Sequence, residues 1–393
     1  FTQPRHLLPP TLATAVQEYK FVGAVERELT FAVNADAYDD IRTCCQGPKI
    51  CPKCWAFLSA AVRVLTTLMR DNWGFENLLF VYSGRRGMHV WVCDAHARTL
   101  DNDQRAAVAE FLVTLPGGGG YDSSGFVSIY DNKPSIGRTA AALTFPLPPA
   151  LARVYGELEL AFERAIIPES GQRLLAVPEN WVRILDALPA GLPGLRAAVA
   201  VRASADLRRH SCYPVRVAHA HPKPHTCMQA AWEGAPDAAT RWRQLREAIN
   251  GVIAQADAAK LPPETRVALE VFVPAVVITC TYPRLDVTTA KRIDCWQKAP
   301  FSAHFETGRV CVPIDPATVD DFDLDRVPLV RSLAVSQDTA ALAPYLDTFQ
   351  RFVDGCCTAA ARGADTAHPD DAAALASAAP GVEPPAAATG LGV

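Results

Sequence analysis

The chain of 393 residues contains no run of eighteen apolar residues, and so no segment able to cross a bilayer as a helix. It also lacks an excess of positive charge, since 38 Lys and Arg stand against 42 Asp and Glu for a net charge of −4. Contact with nucleic acid would therefore have to come from local patches, with Arg85, Arg86, Arg284, Lys291, Arg292 and Lys298 as the obvious contributors. No secretory signal is visible, so the twelve cysteines are expected to be core thiols or metal ligands in a reducing compartment, not disulfides. The first residue is Phe1 and not Met, so a preceding piece is expected. Beyond about residue 358 large apolar side chains almost vanish, which predicts a disordered Ala- and Pro-rich tail. The rest, with 49% hydrophobic residues overall, has ample material for a core and for more than one domain.

The most informative stretch is 80–93, Phe-Val-Tyr-Ser-Gly-Arg-Arg-Gly-Met-His-Val-Trp-Val-Cys. An apolar run stops at a tight, doubly cationic turn, and a second alternating run (Met88, Val90, Val92) leaves it, which predicts a β-hairpin. Ser83, Arg85, Arg86 and His89 crowd four phosphate-capable donors onto it, and Gly84 and Gly87 are expected to let the backbone approach a ligand. Upstream, Cys44, Cys45, Cys51 and Cys54 place four thiols within eleven positions. Four soft ligands ending in a Cys-x-x-Cys turn suit tetrahedral zinc, and four thiolates leave no open position, so the zinc is expected to be structural. A redox pair at Cys51 and Cys54 is the alternative. Downstream, Cys280-Thr-Tyr-Pro-Arg284-Leu-Asp286-Val287 follows a strongly apolar run at 269–279, and Lys298 and His304 come shortly after. A carboxylate at a strand end, a lysine and a histidine suit a site that holds a metal-bound triphosphate.

Four blocks, Arg42-x-Cys-Cys…Ile-Cys-Pro-Lys-Cys-Trp55, Val81-Tyr-Ser-Gly-Arg-Arg-Gly-x-His89-x-Trp91-Val-Cys-Asp94, Tyr282-Pro-Arg-Leu-Asp286 and Lys298-x-Pro-Phe-Ser-x-His304, stand in the order and spacing of a known family. Together they resemble the small, catalytic subunit of DNA primase of the archaeal–eukaryotic type, in its eukaryotic form. The resemblance runs from about Glu28 to Phe352 and is weakest between 115 and 265. Segments at 179–185 and 342–349 are similar to family segments as well. The resemblance implies template-directed joining of NTPs into short RNA primers on single-stranded DNA, in the nucleus. It implies a large primase subunit with an iron–sulfur cluster and a link to the DNA polymerase alpha complex. Asp286 would then hold catalytic Mg²⁺ or Mn²⁺, while Ser83, Arg85, Arg86, His89, Lys298 and His304 would hold the triphosphate. A zinc-stabilised nucleic-acid-binding module without a triphosphate site is a further reading, against which the Lys298 and His304 block argues.

One departure stands out. Family members carry two metal-binding aspartates separated by one residue on the strand resembling 28–34; the ungapped positions here are Ala32 and Asn34. They share one face of a strand, yet offer no ligand and a neutral amide, where two hard cations need anionic oxygens. Asp36 has the same strand parity but lies about 6–7 Å further along, too far without a bulge. The two-metal site is expected to be badly weakened, and the alternative function is a catalytically impaired, primase-like subunit acting as a nucleotide- or nucleic-acid-binding scaffold.

The fold expected is α+β: a primase-type central, mostly antiparallel sheet flanked by helices, with a small zinc knuckle and an inserted helical subdomain. Catalytic parts are assigned to 1–146 (knuckle at 44–54) and 263–357, the helical subdomain to 147–262 and the tail to 358–393. Residues 1–27 read as irregular, and strands are expected at 28–34, 269–280 and 309–313. Helices are expected at 54–70, after a cap near Asp101, at 151–162, 181–188 and 241–256, and at 339–354 with Leu342, Tyr345, Leu346 and Phe349 buried. Gly117 to Gly120 read as a linker. His210, Cys212, His219, His221, His225 and Cys227 read as a loop insertion rich in imidazoles, with a second metal site as the alternative.

Overall fold

Alternation along Leu29–Asn34 builds strand β1: Leu29, Phe31 and Val33 are wholly buried on one face, and Thr30, Ala32 and Asn34 belong to the other. The computed structural model describes residues 26–115, 135–189, 237–255, 261–293, 297–336 and 339–366. The expected glycine linker, the 210–227 cluster and most of the tail lie outside these residues, as does nearly all of 1–27.

Helix α1 (Pro52–Trp73) follows, with Pro at its start and Gly74 closing it in the left-handed region at φ 67°. Its stripe of Phe57, Ala61, Val64, Leu65 and Leu68 is fully buried as the periodicity predicts, in one continuous hydrophobic cluster with the inner face of β1. The hairpin of β2 (Leu78–Tyr82) and β3 (Gly87–Val92) comes next, then α2 (Asn102–Thr114), whose N-terminus carries a reciprocal Asp101–Gln104 capping box. Helices α3 (Ile136–Ala142), α4 (Pro149–Ala161), α5 (Pro178–Asp186) and α6 (Ala238–Ala254) follow, the last three close to the helices predicted from sequence. No helix among the described residues is long and apolar enough to cross a membrane.

The strand expected at 269–280 is instead the end of α7 (Pro263–Glu270) and the whole of α8 (Phe272–Thr281). Phe272, Ala275, Val276, Val277 and Ile278 are all buried, so the helix shows no polar face and its apolar run carries no readable period. Pro274 is tolerated because it sits in the first turn, where backbone N–H groups have no intrahelical partner. The chain returns to the sheet only at β4 (Leu285–Asp286), and β5 (Pro313–Ile314) supplies the other edge. Of the strand expected at 309–313, Arg309 and Val310 make only isolated bridges, to Leu329 and Ala303. After α9 (Val330–Ser336), α10 (Ala343–Thr366) runs past the helix end expected at 354. The apolar residues of α10 and of the turn before it are less covered than predicted: Leu346 is 46% exposed, and Leu342, Tyr345 and Phe349 are only partly buried.

The result is a mixed helical and antiparallel β structure. The sheet has five strands in the order β4-β1-β3-β2-β5, every pair antiparallel. One face packs on α1 and its neighbours; on the other, Phe349 and Phe352 of α10 lie against Leu79, Val81 and Cys311. Register puts Ala32 opposite both His89 and Asp286, and His89 opposite Val81. Directly paired residues share a face, so Asp286, Ala32, His89 and Val81 form one row across the sheet.

β4 is only two residues long, so something other than ladder bonds must hold it. Arg284, just before it, is ion-paired with Asp40, donates to Ala37 O at 2.6 Å and Thr279 O at 3.2 Å, and lies 4.8 Å from the Tyr38 ring centroid. Both charged partners are largely out of water, so this cation is structural and not part of a nucleic-acid patch. Lys291 is likewise engaged, with Glu110 at 3.2 Å. Arg284→Met leaves Asp40 as an uncompensated buried carboxylate and is expected to lower the unfolding free energy by about 3 kcal/mol. Urea denaturation measures this; a loss below about 1 kcal/mol would mean that β4 is held by other contacts.

Candidate functional site: an arginine turn and a four-cysteine cluster

The turn between β2 and β3 is shaped by backbone demands. Ser83 N donates to Gly87 O at 2.9 Å, and Gly87 N donates to Ser83 Oγ at 3.3 Å, closing the turn around Arg85 and Arg86. Gly84 has φ 82°, and a Cβ there would come within 2.7 Å of His304 Cβ. A Cβ on Gly87 would run into the Val33 carbonyl and come within 2.8 Å of Asn34 Oδ1. Both glycines therefore serve close approach of other parts of the protein, the 304 loop and β1.

That loop is tied directly to the turn. Thr307 Oγ1 donates to Gly84 O at 2.7 Å, His304 N donates to Arg309 O at 2.9 Å, and Arg85 pairs with Glu306 at 2.5 Å. Arg86 pairs with Asp36 at 2.7 Å, on the 3₁₀ turn (Ala35–Tyr38) that follows β1. Lys298 borders both histidines, its charge opposing protonation of His89 and of His304. The structure thus brings Ser83, Arg85, Arg86, His89, Lys298 and His304 around one end of the sheet, with Asp286 two strands from His89 in the same row.

His89 is 9% exposed, and its Nδ1 has no hydrogen-bond partner. Burial, and then the Lys298 charge, push it down to about 4, so it presents a neutral imidazole at physiological pH. His304 is lowered too, by burial and by Lys298, Arg85 and Arg86, with Glu306 opposing. Buried neutral rings beside half-exposed cations make a site for a multiply charged anion.

A pair of divalent cations fits poorly. Asp286 accepts from Thr288 N at 3.1 Å and is the one carboxylate in its row; Ala32 and Asn34 add none. Asp36 has left the strand and is held by Arg86, Asp39 by Arg42 and Gly47 N, and Asp40 by Arg284. All three of these carboxylates are thus engaged away from the Asp286 row.

The cysteines behave differently. Cys44, Cys45, Cys51 and Cys54 have their sulfurs within 4.8 Å of one another, with Cys44–Cys54 at 3.1 Å and Cys51–Cys54 at 3.7 Å. Tetrahedral zinc with Zn–S bonds of about 2.3 Å needs sulfurs roughly 3.8 Å apart, so this donor set fits. Cys51 is the N-cap residue of α1, where, against burial, the backbone N–H of Cys54 holds its thiol below the ordinary value; burial pushes Cys54, in the first turn, up to about 11. Two partners went unread in the sequence. Gln172, fully buried, donates to Cys44 Sγ at 3.2 Å and Lys53 O at 2.7 Å. Arg42 donates to Cys54 Sγ at 3.6 Å and Lys49 O at 2.9 Å. Nothing local marks Gln172; Arg42 stands at the start of the cysteine motif, a signal that was available.

The family description "DNA primase small subunit" matches residues 31–189. Curated proteins of that name are similar over most of the chain. The one from Schizosaccharomyces pombe is 31% identical over 316 residues, covering 80% of this chain and 58% of the relative. That from Drosophila melanogaster is 29% identical, covering 79% and 60%, and that from Saccharomyces cerevisiae 28%, covering 84% and 69%. The chain therefore spans less than two thirds of the length of the first two.

The depressed His89 has a measurable consequence. Between its folded value of about 4 and the ordinary 6.5, the unfolded chain binds more protons than the folded one. Its contribution to stability is complete above pH 6.5 and is lost as pH falls toward 4. His89→Gln should flatten the pH dependence of unfolding over that window by up to about 3 kcal/mol. Equal slopes for the two proteins in urea titrations from pH 4 to 7 would contradict it.

Proposed function

We propose that the chain belongs to the DNA primase small-subunit family and serves template-directed synthesis of short RNA primers on single-stranded DNA. The observation that carries this reading is the register of β1: Ala32 faces His89 on one side and Asp286 on the other, joining the arginine turn to the late aspartate. In this reading Ser83, Arg85, Arg86, His89, Lys298 and His304 hold the triphosphate and offset the charge that develops on pyrophosphate as a 3′-hydroxyl attacks the α-phosphate. Ser83 and His89 orient as neutral hydrogen-bonding groups, while the arginines and Lys298 supply charge. The primase-type fold, with catalytic parts on either side of a helical subdomain at 147–262, is part of the same proposal. So are a large subunit with an iron–sulfur cluster, the DNA polymerase alpha complex as wider partner, and the nucleus as compartment.

A second reading is favoured by one observation. Ala32 and Asn34 leave Asp286 alone in the row, so a nucleotide-binding subunit with little turnover of its own also accounts for the site. Primer synthesis on a poly-pyrimidine template, with and without Ala32→Asp plus Asn34→Asp, tests it. The double variant is expected to be at least roughly ten-fold faster, since each restored carboxylate is a hard anionic ligand. Equal rates would mean that the chain works without those ligands.

For the cysteine cluster we propose structural zinc, supported by the sulfur geometry and by the N–H groups of Gln172 and Arg42 that point at two of the sulfurs. Purified protein should carry one zinc per chain at this cluster. Cys54→Ser is expected to release it and to lower Tm by about 10 °C or more. Zinc retained in full by a variant lacking all four cysteines would assign it elsewhere.

A further inference from the structure

Immediately after buried His304 the chain exposes a large aromatic side chain: Phe305 keeps 82% of its surface in solvent. Such exposure is unusual for phenylalanine, and here it is not slack in a loose loop. His304 N donates to Arg309 O at 2.9 Å, Gly308 N donates to His304 O at 2.8 Å, and Val330 N donates to Gly308 O at 2.8 Å. Thr307 Oγ1 ties the turn to Gly84, and Gly308 takes the left-handed φ of 67° that such a closed turn requires. The ring lies nearly parallel to that of His304, with centroids 5.2 Å apart at 12°, and Lys298 Nζ sits 5.6 Å from its centroid. His304 in turn feels the positive charge of Lys298, Arg85 and Arg86.

A rigidly held, solvent-facing aromatic ring with the Lys298 ammonium beside it matches what single-stranded nucleic acid needs, which is π-faces for the bases and positive charge for the phosphates. We propose that Phe305 is a stacking platform for an unpaired nucleobase of single-stranded DNA where it passes the nucleotide cleft. This rests on the primase reading above and adds a template contact to it. A strand running over the surface suits an open ring better than the base of a nucleotide held by its phosphates in the cleft. The apolar neighbours Leu329 and Val330, 39% and 42% exposed, are the feature that would suit a protein partner instead.

The test uses the full chain and a fluorescein-labelled oligodeoxythymidylate, with an abasic oligomer of equal length and ATP as parallel ligands. Phe305→Ala should bind the oligodeoxythymidylate roughly ten-fold more weakly, while its affinities for the abasic oligomer and for ATP stay unchanged. Phe305→Trp should keep wild-type affinity, and its indole emission should be quenched as the oligodeoxythymidylate is added. Wild-type binding by Phe305→Ala overturns the proposal. So does an equal loss on the abasic oligomer, which would make the ring a support for the loop. A loss confined to ATP would give the ring to the incoming nucleotide, and altered self-association with unchanged DNA binding would give it to a protein interface; both overturn it. Arg86→Ala in the same ATP titration keeps the two readings apart. If ATP binding depends on Arg86 while Phe305→Ala has no effect, only the platform fails; if neither ATP nor DNA binds, the primase reading itself fails.

Discussion

Everything at the site depends on the pairing of one six-residue strand with two partners. β1 bonds β3 along its whole length and β4 at Ala32 and Val33, and that shared register brings residues 89 and 286 into one row. The joint is tight on both sides. Gly87 sits where no Cβ fits against Val33 and Asn34, and the Arg284–Asp40 pair clamps the chain just before β4. A slip of one residue in β1 would turn Ala32 and Asn34 into the core and Phe31 and Val33 out of it. The three fully buried side chains of β1 therefore position a site to which they contribute no atom.

Electrostatically the row is better suited to an anion than to cations. Arg85 and Arg86 are paired with Glu306 and Asp36, but all four side chains are partly exposed, so these pairs are worth at most about 1 kcal/mol each. A triphosphate can displace them at little cost, and a ligand with several charges engages both arginines and Lys298 together. His89 adds an unpartnered Nδ1 without adding charge. Ala32 and Asn34 place no negative charge on the same surface. That weakens cation binding and leaves the attraction for a phosphate chain intact or stronger.

Much of this was legible in the sequence, and the failures have identifiable causes. The hairpin, α1 with its stripe and the Asp101 cap follow from short-range periodicity and capping chemistry, which survive in any tertiary context. Motif spacing also brought out the cysteines, because a Cys-x-x-Cys turn at a helix start is a local device. The run at 269–280 misled because burial on all sides erases the polar positions that separate helix from strand. The residues that complete the sites, Glu306 on Arg85, Asp36 on Arg86 and Gln172 on Cys44, depend on contacts between separate segments, and no local pattern announces them. The close contacts of Gly84 with the 304 loop and of Gly87 with β1 are hidden for the same reason, since those neighbours come from distant segments.

The central claim, resting on the proposed function, is that the arginine turn grips a triphosphate with cations and neutral rings while the row through Ala32 holds a single carboxylate. Counting bound Mn²⁺ by electron paramagnetic resonance, in the presence of a non-hydrolysable ATP analogue, addresses it directly. The account predicts that the analogue binds while the protein retains no more than one ion beside Asp286. Two tightly held ions would contradict it.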